Sequence, residues 1–417
     1  MSSPRTIRAE DRDAPRPIYA VWEITLRCDH ACEHCGSRAG PVRDDELDTA
    51  ELLEVADALM RLGTREVTLI GGEAYLRSDV YTLVEHLAKQ GARVTMQTGG
   101  RGLTAERAKK LRAAGLAAIG VSIDGLEHSH DTLRASPGSW QAAMRAIDNG
   151  NAAGLIVSSN TQVNRLNMGE LVEIAAALEA RGVAVWRAQL TAAMGRAGDH
   201  PDWIIQPWMI LGIIDTLAEI QNDAFARADA RGAPRARAFH VALGNNMGYY
   251  GPHEKLLRSR PGKGERYFGG CQAGQYVMGI ESDGTVKGCP SLPTAPYNGG
   301  NVRNLSLEDI WRDADPIRFT RDRTVDELWG FCKTCYYADI CRAGCSFTSH
   351  SAMGRRGNNP FCYYRASQLK KRGIREALVH AQRPPGDPYD FGRFELREEP
   401  WSTDLPETPK KSLPIVL

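Results

Sequence analysis

Three cysteines lie within eight residues, in the stretch Cys28-Asp-His-Ala-Cys32-Glu-His-Cys35. Thiolates at this spacing can turn inward from a single loop and bind three irons of an iron–sulfur cluster. A four-iron cluster has a fourth iron, which this loop leaves without a protein ligand. The stretch therefore predicts a metal centre with one iron open to a small molecule.

The other seven cysteines lie in the second half of the chain. None occurs between Cys35 and Cys271. Cysteines that merely fill a core would not be grouped in this way, and in a reducing cytosol metal binding is commoner than disulfide formation. This distribution predicts additional metal centres, and the remaining cysteines are Cys289, Cys332, Cys335, Cys341, Cys345 and Cys362.

The composition is that of an ordinary globular protein large enough for more than one domain. The chain has 417 residues, of which 42% are hydrophobic, and its 52 Lys and Arg nearly cancel its 51 Asp and Glu. No strong charge favours nucleic acid or an anionic membrane as a partner. We find no apolar run of the roughly 18 residues that span a membrane, and no signal peptide. We therefore expect a cytoplasmic protein without nucleic-acid or membrane partners.

Six predicted strands alternate with predicted helices through the first half. This alternation predicts an α/β fold with parallel strands and right-handed crossovers. Six strands are too few for a complete eight-stranded barrel, so we expect a partial (β/α)6 TIM-like barrel, open along one side, with its chemistry at the carboxyl ends of the strands. The strands are predicted at Ala20–Leu26, Glu66–Ile70, Arg93–Gln97, Ala117–Ile123, Leu155–Val163 and Ala184–Leu190.

Polar and glycine-rich segments follow these strands and should converge on one rim of the barrel. The cysteine loop follows the first strand, and Gly71-Gly72-Glu73 follows the second. A zinc site that uses His30 and His34 with the cysteines is the alternative, but structural zinc sites rarely lie at the mouth of a barrel. The other segments on this rim contain Ser122, Asp124, Asn164 and Leu190.

The CxxxCxxC motif with Gly-Gly-Glu after the second strand resembles the radical S-adenosylmethionine (SAM) superfamily. The resemblance implies that Cys28, Cys32 and Cys35 bind a [4Fe–4S] cluster whose fourth iron binds the amino and carboxylate groups of SAM. Reductive cleavage of SAM, with an electron donor such as flavodoxin or ferredoxin, then yields a 5′-deoxyadenosyl radical that abstracts a hydrogen atom.

The resemblance also implies a set of SAM contacts. His34 and Ala74 depart from the family pattern, which has an aromatic residue before the third cysteine and a proline after Gly-Gly-Glu. The implied contacts are Gly71, Gly72 and Glu73 to the amino group, Ser122, Asp124 and Asn164 to the ribose or carboxylate, and Leu190 and His34 to the adenine.

The later cysteines follow the order C-x12-G-x4-C, CxxCx5CxxxC and C, which resembles the SPASM extension of radical SAM enzymes. By that resemblance Cys271, Cys289 and Cys345 bind a first auxiliary [4Fe–4S] cluster. Either a non-cysteine residue supplies its fourth ligand, with Glu265 and His253 as candidates, or one iron stays open to substrate. The second auxiliary cluster, the third of the chain, is then bound by Cys332, Cys335, Cys341 and Cys362.

Domain boundaries follow from these assignments and from composition. From Arg383 onward the chain is rich in Pro, Glu and Asp, which predicts little core. We expect a helix at Ala366–Leu378 before it. The predicted divisions are a flexible lead at 1–17, the barrel at 18–240, a connecting segment at 241–270, a SPASM auxiliary-cluster domain at 271–380 and an extended C-terminal tail at 381–417.

SPASM enzymes mostly crosslink, epimerise or oxidise residues of ribosomally made peptides, so the resemblance favours a peptide maturase acting on a precursor peptide. Only about twenty residues precede the first strand, so a separate leader-binding protein presents the peptide, other surfaces bind it, or the substrate is small. A dehydrogenase of a small natural-product intermediate is the alternative, and a zinc-bound scaffold without catalysis is a third. No catalytic acid or base is assigned, although Tyr249, Tyr250, Asp124 and Arg187 are candidates to face the cavity.

Overall fold

The wall of the barrel is a continuous sheet of mostly parallel strands. The structure is a computed structural model that describes residues 3–402. Within them the sheet has nine strands in the order β7-β6-β5-β4-β3-β2-β1-β8-β9, and only β9 runs antiparallel to its neighbour. The strands are β1 (Tyr19–Glu23), β2 (Glu66–Ile70), β3 (Arg93–Thr98), β4 (Ala118–Ser122), β5 (Ile156–Val163), β6 (Val185–Leu190), β7 (His240–Leu243), β8 (Val277–Ile280) and β9 (Val286–Lys287).

Helices cover the outer face of this sheet because alternate strand residues are apolar. Leu69, Met96 and Trp186 belong to the buried core between sheet and helices. The opposite face lines the interior of the barrel, here called the lumen. The helices of this half are α1 (Ala9–Asp13), α2 (Thr49–Arg61), α3 (Val80–Lys89), α4 (Ala105–Ala113), α5 (Glu127–Arg134), α6 (Ser139–Ala152), α7 (Leu171–Ala180), α8 (Arg196–Asp199), α9 (Ile210–Ala230) and α10 (Glu254–Arg258).

The predicted fold class, a partial α/β barrel with a C-terminal cysteine-rich part, is confirmed. All six predicted strands are present, with ends that differ by at most three residues. One further strand, β7, crosses the predicted boundary between the barrel and the connecting segment, and it pairs with β6. Its four residues, His-Val-Ala-Leu, are too few to give a periodic pattern.

Strands β8 and β9 form a hairpin after Cys271, and this hairpin is not separate from the barrel. Strand β8 pairs in parallel with β1, so Tyr19 lies opposite Val277 and Trp22 lies opposite Ile280. The cysteine-rich part therefore extends the barrel sheet at the edge next to the cysteine loop. Its helices are α11 (Thr294–Tyr297), α12 (Leu307–Asp313), α13 (Asp315–Asp322), α14 (Ala338–Cys341), α15 (Ser346–Met353) and α16 (Tyr363–Lys371).

The prediction of an extended tail from residue 381 is wrong for residues 381–402. Helix α16 ends before Gly373, whose φ of +72° terminates it, and the chain then forms an antiparallel pair, β10 (Ile374–Gln382) and β11 (Arg393–Pro400). Leu378 and Phe394 of this pair are buried in the main core. The alternation of apolar and polar residues forms these strands, although the charged composition predicted little core. The rest of the predicted tail, 403–417, lies outside the described residues.

The long helix α9 packs against strand β7. The stretch Pro201–Ala230, which contains α9, has the length and composition of a membrane span, and 61% of its apolar window is buried inside the protein. It contacts α7, α10 and α16 as well as β7.

Candidate functional site

The cysteine loop is held at the carboxyl end of β1 by backbone hydrogen bonds. Cys28 N donates to Gly40 O at 2.9 Å, and Gly40 N donates to Leu26 O at 3.0 Å. Burial, followed by the charges of Glu73, Cys32 and Cys35, raises the pKa of Cys28 to about 12, so the three thiols are close neighbours. Three crowded, part-buried thiols are the donor set of a metal cluster, because a cation relieves the cost of ionising them.

The two glycines of the Gly-Gly-Glu motif allow β2 to pack directly against the start of the cysteine loop. A Cβ at Gly71 would lie 2.3 Å from Thr25 O, and a Cβ at Gly72 would lie 2.2 Å from Arg27 O. The approach is fixed by Gly72 N to Thr25 O and Glu73 N to Arg27 O, both at 2.8 Å. The glycines thus have a packing role, and their contact with SAM stays a prediction.

Glu73 presents a buried carboxyl group beside the cysteine loop. It accepts hydrogen bonds from Thr98 Oγ1 at 2.6 Å and Gly99 N at 2.5 Å, and burial raises its pKa to about 8. Ligand atoms of Glu73, Asp29 and His30 lie within 4.8 Å of one another. Asp29 Oδ1 and both ring nitrogens of His30 are buried without a partner among residues 3–402. Unpaired buried polar atoms fit a polar ligand at this position, as SAM would be.

Asp124 holds the cysteine loop in place through a buried network. Its carboxylate accepts from His34 Nε2 at 3.0 Å, from Gln162 N at 2.8 Å and from Arg134 Nη2. Burial alone would raise the pKa of Asp124, but Arg134 and His34 hold it well below its ordinary value. Arg134 Nη1 also lies 3.5 Å from Cys32 Sγ. The network orients the loop and sets a positive charge beside one thiol, which favours ionisation of that thiol.

Sequence reasoning missed Arg134. It lies on α5, a helix that the sequence analysis did not predict, and it is 102 residues from Cys32 in the chain. No local pattern joins the two residues. Only the packing of α5 against the cysteine loop, with Glu33 N donating to Leu133 O at 2.9 Å, brings them together.

Three residues predicted to lie near SAM have side chains buried within the protein, and their contact with SAM stays a prediction. The ring of His34 is 2% exposed and both its nitrogens are bonded within the protein, Nδ1 to Leu133 O at 2.9 Å. The side chain of Leu190 lies in the outer core with Trp186, because residues two apart share a face. Asn164 is fully buried and bonds Thr191 Oγ1 at 3.2 Å. These side chains stabilise turns at the rim.

Ser122 is half-buried at the end of β4, and its register partner on β5 is Asn160. Asn160 Nδ2 bonds the side chain of Gln97, which lies over Gly120. Ser122 shares a face of the sheet with this pair because alternate residues of a strand point to the same side. It therefore faces the lumen, and its contact with SAM stays a prediction.

Cys271, Cys289 and Cys345 form one group in the second half of the chain. Burial, with Cys271 and Cys289 nearby, raises the pKa of Cys345 to about 12. Burial and Cys271 likewise raise the pKa of Cys289 to about 11. An apolar cluster that includes Leu292 and Tyr297 packs against this group. The structure thus brings together the cysteines implied for the first auxiliary cluster.

The other four cysteines, Cys332, Cys335, Cys341 and Cys362, line one small pocket with Tyr249, Tyr250 and Tyr337. Burial, with Cys332 and Cys335 nearby, raises the pKa of Cys341 to about 12. A pocket lined by four thiols fits a cluster with four protein ligands. The grouping agrees with the implied partition, and ligation itself stays a prediction.

The two proposed non-cysteine ligands of the first auxiliary group are engaged elsewhere. Glu265 is exposed and pairs with Lys255, and His253 Nε2 lies 3.3 Å from Asp215 Oδ1. Both alternatives for the fourth iron of this cluster, a non-cysteine ligand or an open position, stay predictions.

The two candidate cavity tyrosines have structural roles. The hydroxyl of Tyr249 accepts from Cys345 N at 3.1 Å and donates to Asn245 O at 2.8 Å. The hydroxyl of Tyr250 donates to Phe268 O. Both rings lie against the second cysteine group of this half. Asp124 is bonded within the rim network, so Arg187 alone of the four candidates faces the lumen.

A partial barrel with a three-cysteine loop on its rim, followed by two further cysteine groups, defines an enzyme that uses iron–sulfur clusters. Residues 22–178 match the model of the radical SAM superfamily, and residues 271–336 match that of the SPASM iron–sulfur cluster-binding domain. The chain belongs to the radical SAM superfamily and has a SPASM domain. It is therefore an enzyme that uses SAM and iron–sulfur clusters.

The relatives of this chain include heme synthases and maturases. The chain is 31% identical over 362 residues to the AdoMet-dependent heme synthase of Methanosarcina barkeri, covering 85% of this chain and 97% of that protein. It is 27% identical over 433 aligned positions to mycofactocin maturase MftC of Mycobacterium tuberculosis, covering 99% of each. Streptococcus suis SuiB bound to its precursor peptide SuiA shares the fold, with a TM-score of 0.59, 14% identity and coverage of 85% of this chain and 77% of that chain.

Proposed function

We propose that this enzyme cleaves SAM at a [4Fe–4S] cluster on Cys28, Cys32 and Cys35 and modifies a ribosomally made precursor peptide by crosslinking, epimerisation or oxidation. When bound, the cluster and SAM supply a radical that abstracts hydrogen from the substrate. Two auxiliary clusters on the later cysteine groups bring the total to three. An electron donor such as flavodoxin or ferredoxin and a separate leader-binding protein complete the system.

The chain's own residues have distinct roles in this proposal. Glu73 is a buried acceptor for the amino group of SAM. Asp124 and His34 hold the cysteine loop, and Arg134 sets a cation beside Cys32. That cation favours the more negative, reduced form of a cluster, which is the form that donates an electron. We assign the barrel to residues 18–243 and the SPASM part to residues from 271 onward.

The polarity of the lumen is the observation that favours a peptide over an apolar small molecule as the substrate. Tyr19 Oη and Thr68 Oγ1 are 3.0 Å apart, Thr68 bonds Thr95 at 2.7 Å, and Asn160 Nδ2 bonds Gln97 on the same face. Such a surface offers donors and acceptors to the amide groups of a peptide. The alignment with a maturase over 99% of the chain supports the same choice.

A second candidate is the modification of a small molecule, and the heme synthase relatives favour it. The Methanosarcina barkeri enzyme is more similar in sequence, at 31% identity, than the maturase at 27%. A porphyrin of this kind is a large disc with carboxylates at its edge, so its two flat faces would need an apolar cavity. The polar lumen is the reason that this candidate comes second.

The test uses the anaerobically purified, reconstituted full chain. Three four-iron clusters predict about twelve irons per chain and absorption near ~400 nm. Incubation with SAM and dithionite should give 5′-deoxyadenosine, and the peptide encoded beside the gene should change in mass. Iron coproporphyrin is the matched small-molecule substrate.

Each result has a defined meaning. A modified peptide with unchanged coproporphyrin supports the maturase, whereas the reverse supports the small-molecule enzyme. The variant Cys28→Ala should lose all 5′-deoxyadenosine formation while it keeps the auxiliary clusters. Colourless protein that contains zinc would overturn both candidates and leave a scaffold.

A further inference from the structure

Arg187 is a guanidinium inside the barrel without a protein partner. It lies on β6, where Trp186 packs outward against Phe239 with ring centroids 6.2 Å apart. Neighbouring strand residues point to opposite faces, so Arg187 points into the lumen. Its register partner on β5 is Asn160, which bonds the lumen residue Gln97. Within residues 3–402 the side chain of Arg187 has no hydrogen bond or ion pair.

The charges that act on Arg187 belong to the opposite wall of the barrel. Burial, followed by Arg5, lowers its pKa, while Tyr19 and Glu66 of β1 and β2 raise it. Residues four and five strands away in the sheet can act on Arg187 only across the lumen. Its side chain nevertheless keeps an exposed surface. Arg187 is therefore enclosed by the barrel but in contact with a solvent-filled space.

This part of the lumen has an excess of positive charge. Glu66 is already shared by two arginines, since Arg5 Nε lies 3.0 Å from Oε1 and Arg93 Nη1 lies 3.0 Å from Oε2. Arg260 adds another cation, which lowers the pKa of Arg187. The groups that act on Arg187 thus include more guanidinium than carboxylate charge. Unpaired cations in an enclosed site favour the binding of an anion.

We propose that Arg187, with Arg5 and Arg260 beside it, binds a carboxylate of the substrate inside the lumen. A guanidinium presents parallel N–H donors that match the two oxygens of a carboxylate. The inference rests on the proposed function, because it names the group by which the peptide is held. That carboxylate belongs either to the C-terminus of the peptide or to an Asp or Glu side chain.

Phenylglyoxal labelling of arginines in the reconstituted full chain tests the site without turnover. Arg187 should react readily because it is unpaired and accessible, and labelling is quantified at each arginine by peptide mass spectrometry. N-acetyl-Gly-Gly carries only a C-terminal carboxylate, and N-acetyl-Gly-Glu-amide carries only a side-chain carboxylate. Their neutral controls are N-acetyl-Gly-Gly-amide and N-acetyl-Gly-Gln-amide, and Arg227 on the outer surface is the internal reference.

We expect at least one acid to slow labelling of Arg187 at concentrations about tenfold to a hundredfold lower than its neutral control, with Arg227 unchanged. The acid that protects identifies the source of the carboxylate. Equal protection by acid and amide, protection by neither acid, or protection by inorganic phosphate alone would each overturn the proposal.

A variant of a flanking residue adds a second readout. Arg260→Gln removes a neighbouring charge and leaves Arg187 as the reporter, so protection should weaken about twofold to fivefold. Unchanged protection would exclude the role of Arg260. SAM cleavage is assayed on the same preparation before labelling. Failure to form 5′-deoxyadenosine counts against the proposed function, whereas failure of protection alone counts only against the carboxylate site.

Discussion

The substitution Asp124→Asn tests whether the buried network at the rim holds the cysteine loop. Asp124 is 1% exposed, and two of its partners, Arg134 and His34, are 8% and 2% exposed. Asparagine keeps the shape of the side chain but removes the charge that neutralises Arg134. Removing one partner of a buried ion pair costs about 3–5 kcal/mol, because the other charge stays buried without compensation. This is a large part of the stability of an ordinary protein, which is roughly 5–15 kcal/mol.

Urea unfolding of the reconstituted protein measures this cost, and iron analysis measures its effect on the loop. We expect a lower urea midpoint and loss of about one third of the iron, since the two later cysteine groups do not contact this network. The matched control is Asp57→Asn, because Asp57 is 46% exposed and bonds His86. An exposed pair contributes less than about 1 kcal/mol. If Asp124→Asn destabilises no more than this control, the network does not hold the loop.

Three further substitutions have defined outcomes. Gly72→Ala places a Cβ 2.2 Å from Arg27 O and should lower the iron content. The control Gly40→Ala has open space around the new Cβ and should keep its iron. Equal iron in both variants would contradict the packing role of Gly72. Glu73→Gln should weaken SAM binding about tenfold in equilibrium dialysis, and unchanged affinity would exclude its contact with the amino group. Burial raises the pKa of Glu23 to about 7 from an ordinary 4.5. The folded state therefore keeps a proton that the unfolded chain loses between these pH values. The free energy of unfolding should fall by about 3 kcal/mol as pH rises from 4.5 to 7. Glu23→Gln should remove that fall in a series of urea midpoints, and an unchanged pH profile would contradict the raised pKa.

The barrel could be predicted because its signals are local. Each strand from Glu66–Ile70 to Val185–Leu190 is an apolar run followed by a helical pattern, and parallel pairing follows from that order. The strand His240–Leu243 was missed because four residues have no measurable period. Helix α5 was missed because Glu127–Arg134 is largely polar, and it is stabilised by burial of residues such as His130 and Leu133. The C-terminal strands were missed because charged residues conceal their alternation.

The sequence by itself determined the cysteine groups and the type of fold, since both depend on residue types at short, fixed spacings. Tertiary structure alone decided which charges lie beside those groups. Arg134 reaches Cys32 across 102 residues, and Arg187 faces Glu66 across the lumen. Such pairs depend on the packing of elements distant in the chain, which no local pattern encodes. The same physical reason explains why the burial of the His34 and Leu190 side chains could not be predicted from the sequence.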